Sequence, residues 1–135
     1  MSGKLTYFFF STNSPDRDRC NTYSASVTPE RMSVEMNLCG GAESFILPVD
    51  GDFFNGLSAT IDKRDMFGWN KFRPDPSAAS DTAEGFALRA KFDSGKRIRI
   101  SAKGSFPENY EQCKNDLEAH FNALCDKYWG RKEKR

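Results

Sequence analysis

The chain holds a single histidine, His120, and none of its four cysteines stands in a C-x-x-C pair. A structural zinc site needs closely spaced Cys and His ligands, so nothing in the sequence supports one. No G-x-G-x-x-G or Walker-type segment is present, which leaves no phosphate-cradling loop. No window of about 18 apolar residues is available to cross a membrane. The short apolar run Leu5–Phe10 lacks a following small-residue cleavage site and reads as a strand rather than a signal peptide. Internal repeats and low-complexity stretches are also missing. Asp50-Gly51-Asp52 resembles the opening of a calcium loop, but the fifth and twelfth positions hold Phe54 and Ile61 instead of oxygen ligands. No cofactor and no metal are expected.

Cysteine usage is sparse and unpaired. Cys113 and Cys125 lie on one predicted helix roughly 18 Å apart, too far to bridge. With Cys20 and Cys39 they read as free thiols of a reducing compartment, so a cytoplasmic location is expected.

What is present suits one domain covering residues 1–135. Hydrophobic residues make up 38% and aromatic residues 13%, enough for a ring-rich core without staples. Charged residues are 29% but the net charge is only +1, which excludes a basic or acidic tail protein and leaves room for a local patch.

Aromatic content marks the first strand, and period-two alternation marks Met32–Asn37 and the later hairpin. Lys4–Ser11 and Thr22–Thr28 read as strands, and Met32, Val34 and Met36 alternate with polar residues. Gly40-Gly41 ends that strand, and Ser44–Val49 reads as an edge strand because of Pro48. Asp52 is the expected N-cap of a helix carrying Phe53, Phe54, Leu57 and Ile61. Gly56 weakens that helix by about 1 kcal/mol relative to Ala. Gly68–Asp81 is the longest irregular segment.

A hairpin follows. A three-residue loop with Gly95 left-handed pairs Leu88 with Ile100 and Ala90 with Ile98, which keeps the apolar residues on one face. A final helix is expected from about Pro107 to Trp129, stopped by Gly130, with the apolar stripe Tyr110, Cys113, Leu117, Phe121, Leu124, Tyr128. The basic tail 131–135 is expected to fray. The fold class is therefore α+β: one antiparallel sheet of about 4–6 strands, two helices on one face, the C-terminal one long.

Catalytic candidates are weak. His120 has no partner and sits beside the apolar stripe, Cys113 faces the core, and no motif pairs two carboxylates. The hairpin register says more. It sets Lys91 opposite Arg97 and Arg89 opposite Arg99, with Lys103 further along. Like charges directly opposite disfavour a hairpin unless something compensates. Two readings are open: acids on a neighbouring strand such as Glu35, or solvent, relieve them; or the face meets an anion or an acidic partner. In Tyr7-Phe8-Phe9-Phe10 two rings point each way, and if this strand lies in the same sheet one pair shares the basic face. Rings with cations suit nucleic acid, while a loop, a subunit or the Trp69 segment would serve equally as cover. Trp69 and Arg73 are a second candidate contact, against a Trp69 that plugs the core.

Trp69-Asn70, Phe72, Gly85-Phe86, Leu88, Phe92, Gly95, Ile98, Gly104, Pro107 and Asn109-Tyr110 together resemble a recurrent small bacterial domain of no assigned function. The likeness covers residues 69–124. It implies a hairpin-then-helix unit and no reaction, and here Ser94 stands before Gly95 where Asp is usual.

The expectation is a non-catalytic binding domain using Arg89, Lys91, Arg97 and Arg99, with Trp69 and Arg73 as a second surface. A protein partner, a homodimer, or nucleic acid or another anion would be bound, and no membrane. The alternatives are an inhibitor or immunity-like protein of bacterial or phage type, and a carboxylate-based enzyme.

Overall fold

The computed structural model describes residues 3–16, 20–80 and 82–133, without the side chains of 39 and 125–133. Six strands form one antiparallel sheet: β1 Leu5–Asn13, β2 Asn21–Val27, β3 Met32–Leu38, β4 Glu43–Pro48, β5 Gly85–Phe92 and β6 Arg97–Lys103. Their order is β4-β3-β2-β1-β5-β6, with α1 Gly51–Lys63 and α2 Tyr110–Glu133 as the two long helices. The α+β reading holds. No helix among the described residues is long and apolar enough to cross a membrane.

β1 lies at the centre and sets the rows. Phe8 stands beside Ala25 on β2 and Ala90 on β5, while Phe10 stands beside Tyr23 and Leu88. Each is fully buried, because successive strand residues face opposite ways and these two meet the helices. Phe121 of α2 packs on Phe8 at 5.8 Å between ring centroids and on Tyr23 at 5.1 Å. Phe53 of α1 meets the same Phe121 edge-on at 5.2 Å, so one ring joins the sheet and both helices. Truncating a buried Phe of this kind costs about 3–5 kcal/mol.

The hairpin takes the expected register. Leu88 pairs with Ile100, Ala90 with Ile98, Arg89 with Arg99 and Lys91 with Arg97. Phe92 N donates to Lys96 O at 3.0 Å, which closes a loop of Asp93, Ser94 and Gly95. Gly95 has φ 92°, a conformation that a side chain would strain.

Several boundaries differ from expectation. The N-cap of α1 is Asp50, not Asp52: its carboxylate accepts from the backbone N–H of Asp52 and Phe53. The cap has to precede the first turn, and Asp52 lies inside it, where an acid still favours the dipole. Met66–Lys71 and Pro76–Ala78 form short 3₁₀ helices inside the segment read as irregular. α2 begins at Tyr110, because Pro107–Asn109 form the turn that leads into it, with Tyr110 N bonded to Pro107 O. It runs through Gly130 to Glu133, so that glycine is no stop. A lone glycine inside a helix carries only a propensity penalty of about 1 kcal/mol. The tail therefore begins later than 131, and residues 134 and 135 lie outside the described residues, as do the side chains of Cys125 and Tyr128 from the sequence reading.

Gly56 has a reason that periodicity does not show. A Cβ built there would collide with the imidazole of His120 on α2. That ring stacks on Phe53 at 4.4 Å between centroids, and its Nε2 bonds Phe53 O at 2.9 Å. His120 is thus a packed interhelical residue. Arg64, just beyond α1, closes the other end of the helix pair by donating from Nε to Asp116 Oδ2 at 2.7 Å. Intrinsic propensity would make Gly56→Ala stabilising by about 1 kcal/mol. Overpacking makes it destabilising, by about 1–3 kcal/mol. Urea denaturation should show that loss in the wild-type background and most of it recovered beside His120→Ala.

Candidate binding surface on the outer sheet face

Alternation along the strands decides what the outer face carries. On β5 and β6 it presents Arg89, Lys91, Arg97, Arg99 and Lys103, all exposed. On the central strand it presents Tyr7 and Phe9, both half-buried. On β2 and β3 it presents Thr22, Ser24, Ser26, Ser33, Glu35 and Asn37. Both helices and the 3₁₀ helix at Trp69 pack on the opposite face. The rows run Ser33, Ser26, Tyr7, Lys91, Arg97 and Glu35, Ser24, Phe9, Arg89, Arg99. One half of the face is therefore mostly small hydroxyls with Glu35, Asn37 and, on β4, the exposed Ile46; the middle holds two rings, and the far half is a bank of cations.

Glu35 does not relieve the like-charge pairs. It lies three strands from β5, about 14 Å at ordinary strand spacing, and accepts from Asn37 Nδ2 at 3.2 Å. Among the described residues no ion pair involves Arg89, Lys91, Arg97 or Arg99. Lys91 Nζ sits 5.8 Å from the centroid of the Tyr7 ring, within cation–π range. That contact relieves Lys91 and leaves Arg89, Arg97 and Arg99 exposed.

The free edge of β6 is held by Asn70. Its Nδ2 donates to Arg97 O and its Oδ1 accepts from Arg99 N, each at 3.0 Å. One carboxamide thereby occupies backbone groups through which another strand would add, and it fixes the strand that carries Arg97 and Arg99.

Trp69 is not on any surface. It is 3% exposed, packs edge-on against Phe86 at 5.6 Å, and donates from Nε1 to Asn109 Oδ1 at 2.9 Å. Asn109 Nδ2 donates in turn to Arg64 O at 2.8 Å. Trp69 plugs the end of the core and anchors its loop, while Arg73 is exposed without it. The two do not make a joint contact surface. Asn70 and Asn109 were legible only as members of a sequence pattern; the bonds they make join residues 27 to 45 positions apart.

A second concavity, about 510 Å³, lies between the end of the sheet and the start of α2. Asn13, Asn21, Glu84, Tyr110, Glu111 and Lys114 line it. Both carboxylates, Glu84 and Glu111, are exposed. Burial raises the Tyr110 hydroxyl well above its ordinary value, and neighbouring Glu111, Glu118 and Glu84 add to this, so it stays protonated. No group of three or more metal-ligating side chains occurs among the described residues.

Comparison with protein-family models and with curated proteins finds no match to this chain.

Cys113 is fully buried, and burial pushes its thiol up to about 11, with Arg64 opposing and Asp116 adding to that effect. Its folded value lies above the unfolded one near 9. Its contribution to stability is therefore complete below about pH 9 and lost as pH rises through 11. At pH 8 a thiol reagent should leave Cys113 unmodified in the native protein and label it only in denaturant, as peptide mass spectrometry would show. Asn109→Ala should remove the partners of Trp69 Nε1 and Arg64 O. The expected loss is about 1–3 kcal/mol per group left unpaired, with a shifted indole emission.

Proposed function

We propose that this protein is a non-catalytic binding module whose contact surface is the basic half of the outer sheet face, and that its partner is polyanionic. The supporting observation is the registered pairing of Arg89 with Arg99 and Lys91 with Arg97 on an exposed face. Opposed like charges in adjacent strands destabilise a hairpin. Five cations on this face stand against one acid, Glu35, in a chain whose net charge is +1. An anionic partner converts that repulsion into attraction. A second copy stacked on the same half would oppose two cationic banks, which disfavours a homodimer there.

Arg99→Glu separates stability from binding. It creates an opposite-charge pair with Arg89 and should raise unfolding stability by about 0.2–1 kcal/mol. The same change should lower the salt concentration that elutes the protein from immobilised heparin. Arg89→Glu with Arg99→Glu should elute earlier still with little change in melting temperature. Elution unchanged from wild type in both variants would overturn the proposal.

A further inference from the structure

We propose that the polyanion this face takes is a single-stranded nucleic acid, a reading that rests on the basic half being the contact surface. Charge alone does not separate nucleic acid from an acidic protein. The placement of the rings does. Phe9 lies between Ser24 and Arg89, and Tyr7 between Ser26 and Lys91. Each ring thus has a hydroxyl small enough to leave that flank open and a long cation on the other side. Among the described residues no ring or cation contact covers Phe9.

The rows are two strand residues apart, about 6.8 Å. That is roughly twice the 3.4 Å step of stacked bases in a duplex. Two neighbouring bases cannot stack on each other and also on these two rings. A splayed single strand meets both, with its phosphates over Arg89, Arg99, Lys91 and Arg97. A duplex offers phosphates but no base faces, and an acidic peptide offers carboxylates but little for the rings to stack on. Ser26 and Ser33 add hydroxyls that can both donate to and accept from base edges, while Ser24 Oγ donates to Glu35 O at 3.5 Å and can only accept. The small size of serine on the solvent face leaves Tyr7 and Phe9 partly exposed.

The test uses the whole chain and fluorescence anisotropy with a labelled 15-residue oligothymidylate, the same-length duplex and poly-glutamate. The single strand is expected to bind most tightly, with a log–log salt slope of about −3 for four neutralised phosphates. Phe9→Leu keeps an apolar side chain but loses the ring, and should weaken oligothymidylate binding about 5- to 150-fold. Phe9→Tyr should retain it. Circular dichroism melting of each variant checks that the fold survives. Equal affinity for single strand, duplex and poly-glutamate, unaffected by Phe9→Leu but abolished by Arg89→Glu with Arg99→Glu, would overturn the nucleic-acid assignment and leave the polyanion surface standing. Binding of none of the three at 50 mM salt would overturn both.

Discussion

Burial of Phe8 and Phe10 beneath the helices is the constraint on which the rest of the structure depends. Both rings are fully inaccessible, and one of them meets Phe121, which also touches Tyr23 and Phe53. A strand cannot turn one residue without turning its neighbours, so the same burial sends Tyr7 and Phe9 to the other side. A one-residue slip would expose Phe8 and Phe10 and bury Tyr7 and Phe9 against the helices. Because β1 is hydrogen-bonded to β2 and β5, its register is passed outward through the sheet. Ser24 and Ser26 follow on one side, and Arg89 and Lys91 on the other.

That coupling explains why the outer face has its gradient. The inner face is chosen for packing, with Ala25 and Ala90 flanking Phe8 so that large rings and small side chains interlock. The outer face has no packing duty, yet it is neither uniformly charged nor uniformly polar. β2 contributes hydroxyls, β1 two rings, and β5 and β6 the cations, so these fall in bands across the face. The conflict between Arg89 and Arg99 is local and unrelieved, in a hairpin whose other features agree with one another. That local conflict is the observation on which the proposed contact surface rests.

The loop from Met66 to Ala78 works as a clamp more than as a connection. Asn70 holds the free edge of β6, and Trp69 is held by Asn109 at the entrance to α2. The loop therefore ties hairpin to helix across the end of the core. A buried Trp with its N–H satisfied gives the clamp both area and direction. Gly56 and His120 form a comparable lock between α1 and α2, where the lack of a side chain on one helix admits a ring from the other.

Strand count, hairpin register and the apolar stripe of α2 were legible in the sequence, because each follows from a period of two or of 3.6 acting over a few residues. The split of Tyr7-Phe8-Phe9-Phe10 and the opposition of Arg89 to Arg99 belong with these. The sequence did not reveal the role of Asn70, Asn109 or Gly56, the true cap at Asp50, or the passage of α2 through Gly130. Asn70, Asn109 and Gly56 depend on which distant segment arrives beside each, whereas the cap at Asp50 is local and was a choice between two nearby acids; at Gly130 the penalty of one helical glycine is too small to end a helix. The sequence by itself determined that the hairpin would carry its cations on one face and its apolar residues on the other. Only the tertiary structure decided that β1 lies between β2 and β5, which sets Tyr7 and Phe9 beside the cations, and that the Trp69 clamp closes the core on the other side, since strand order rests on contacts between distant segments.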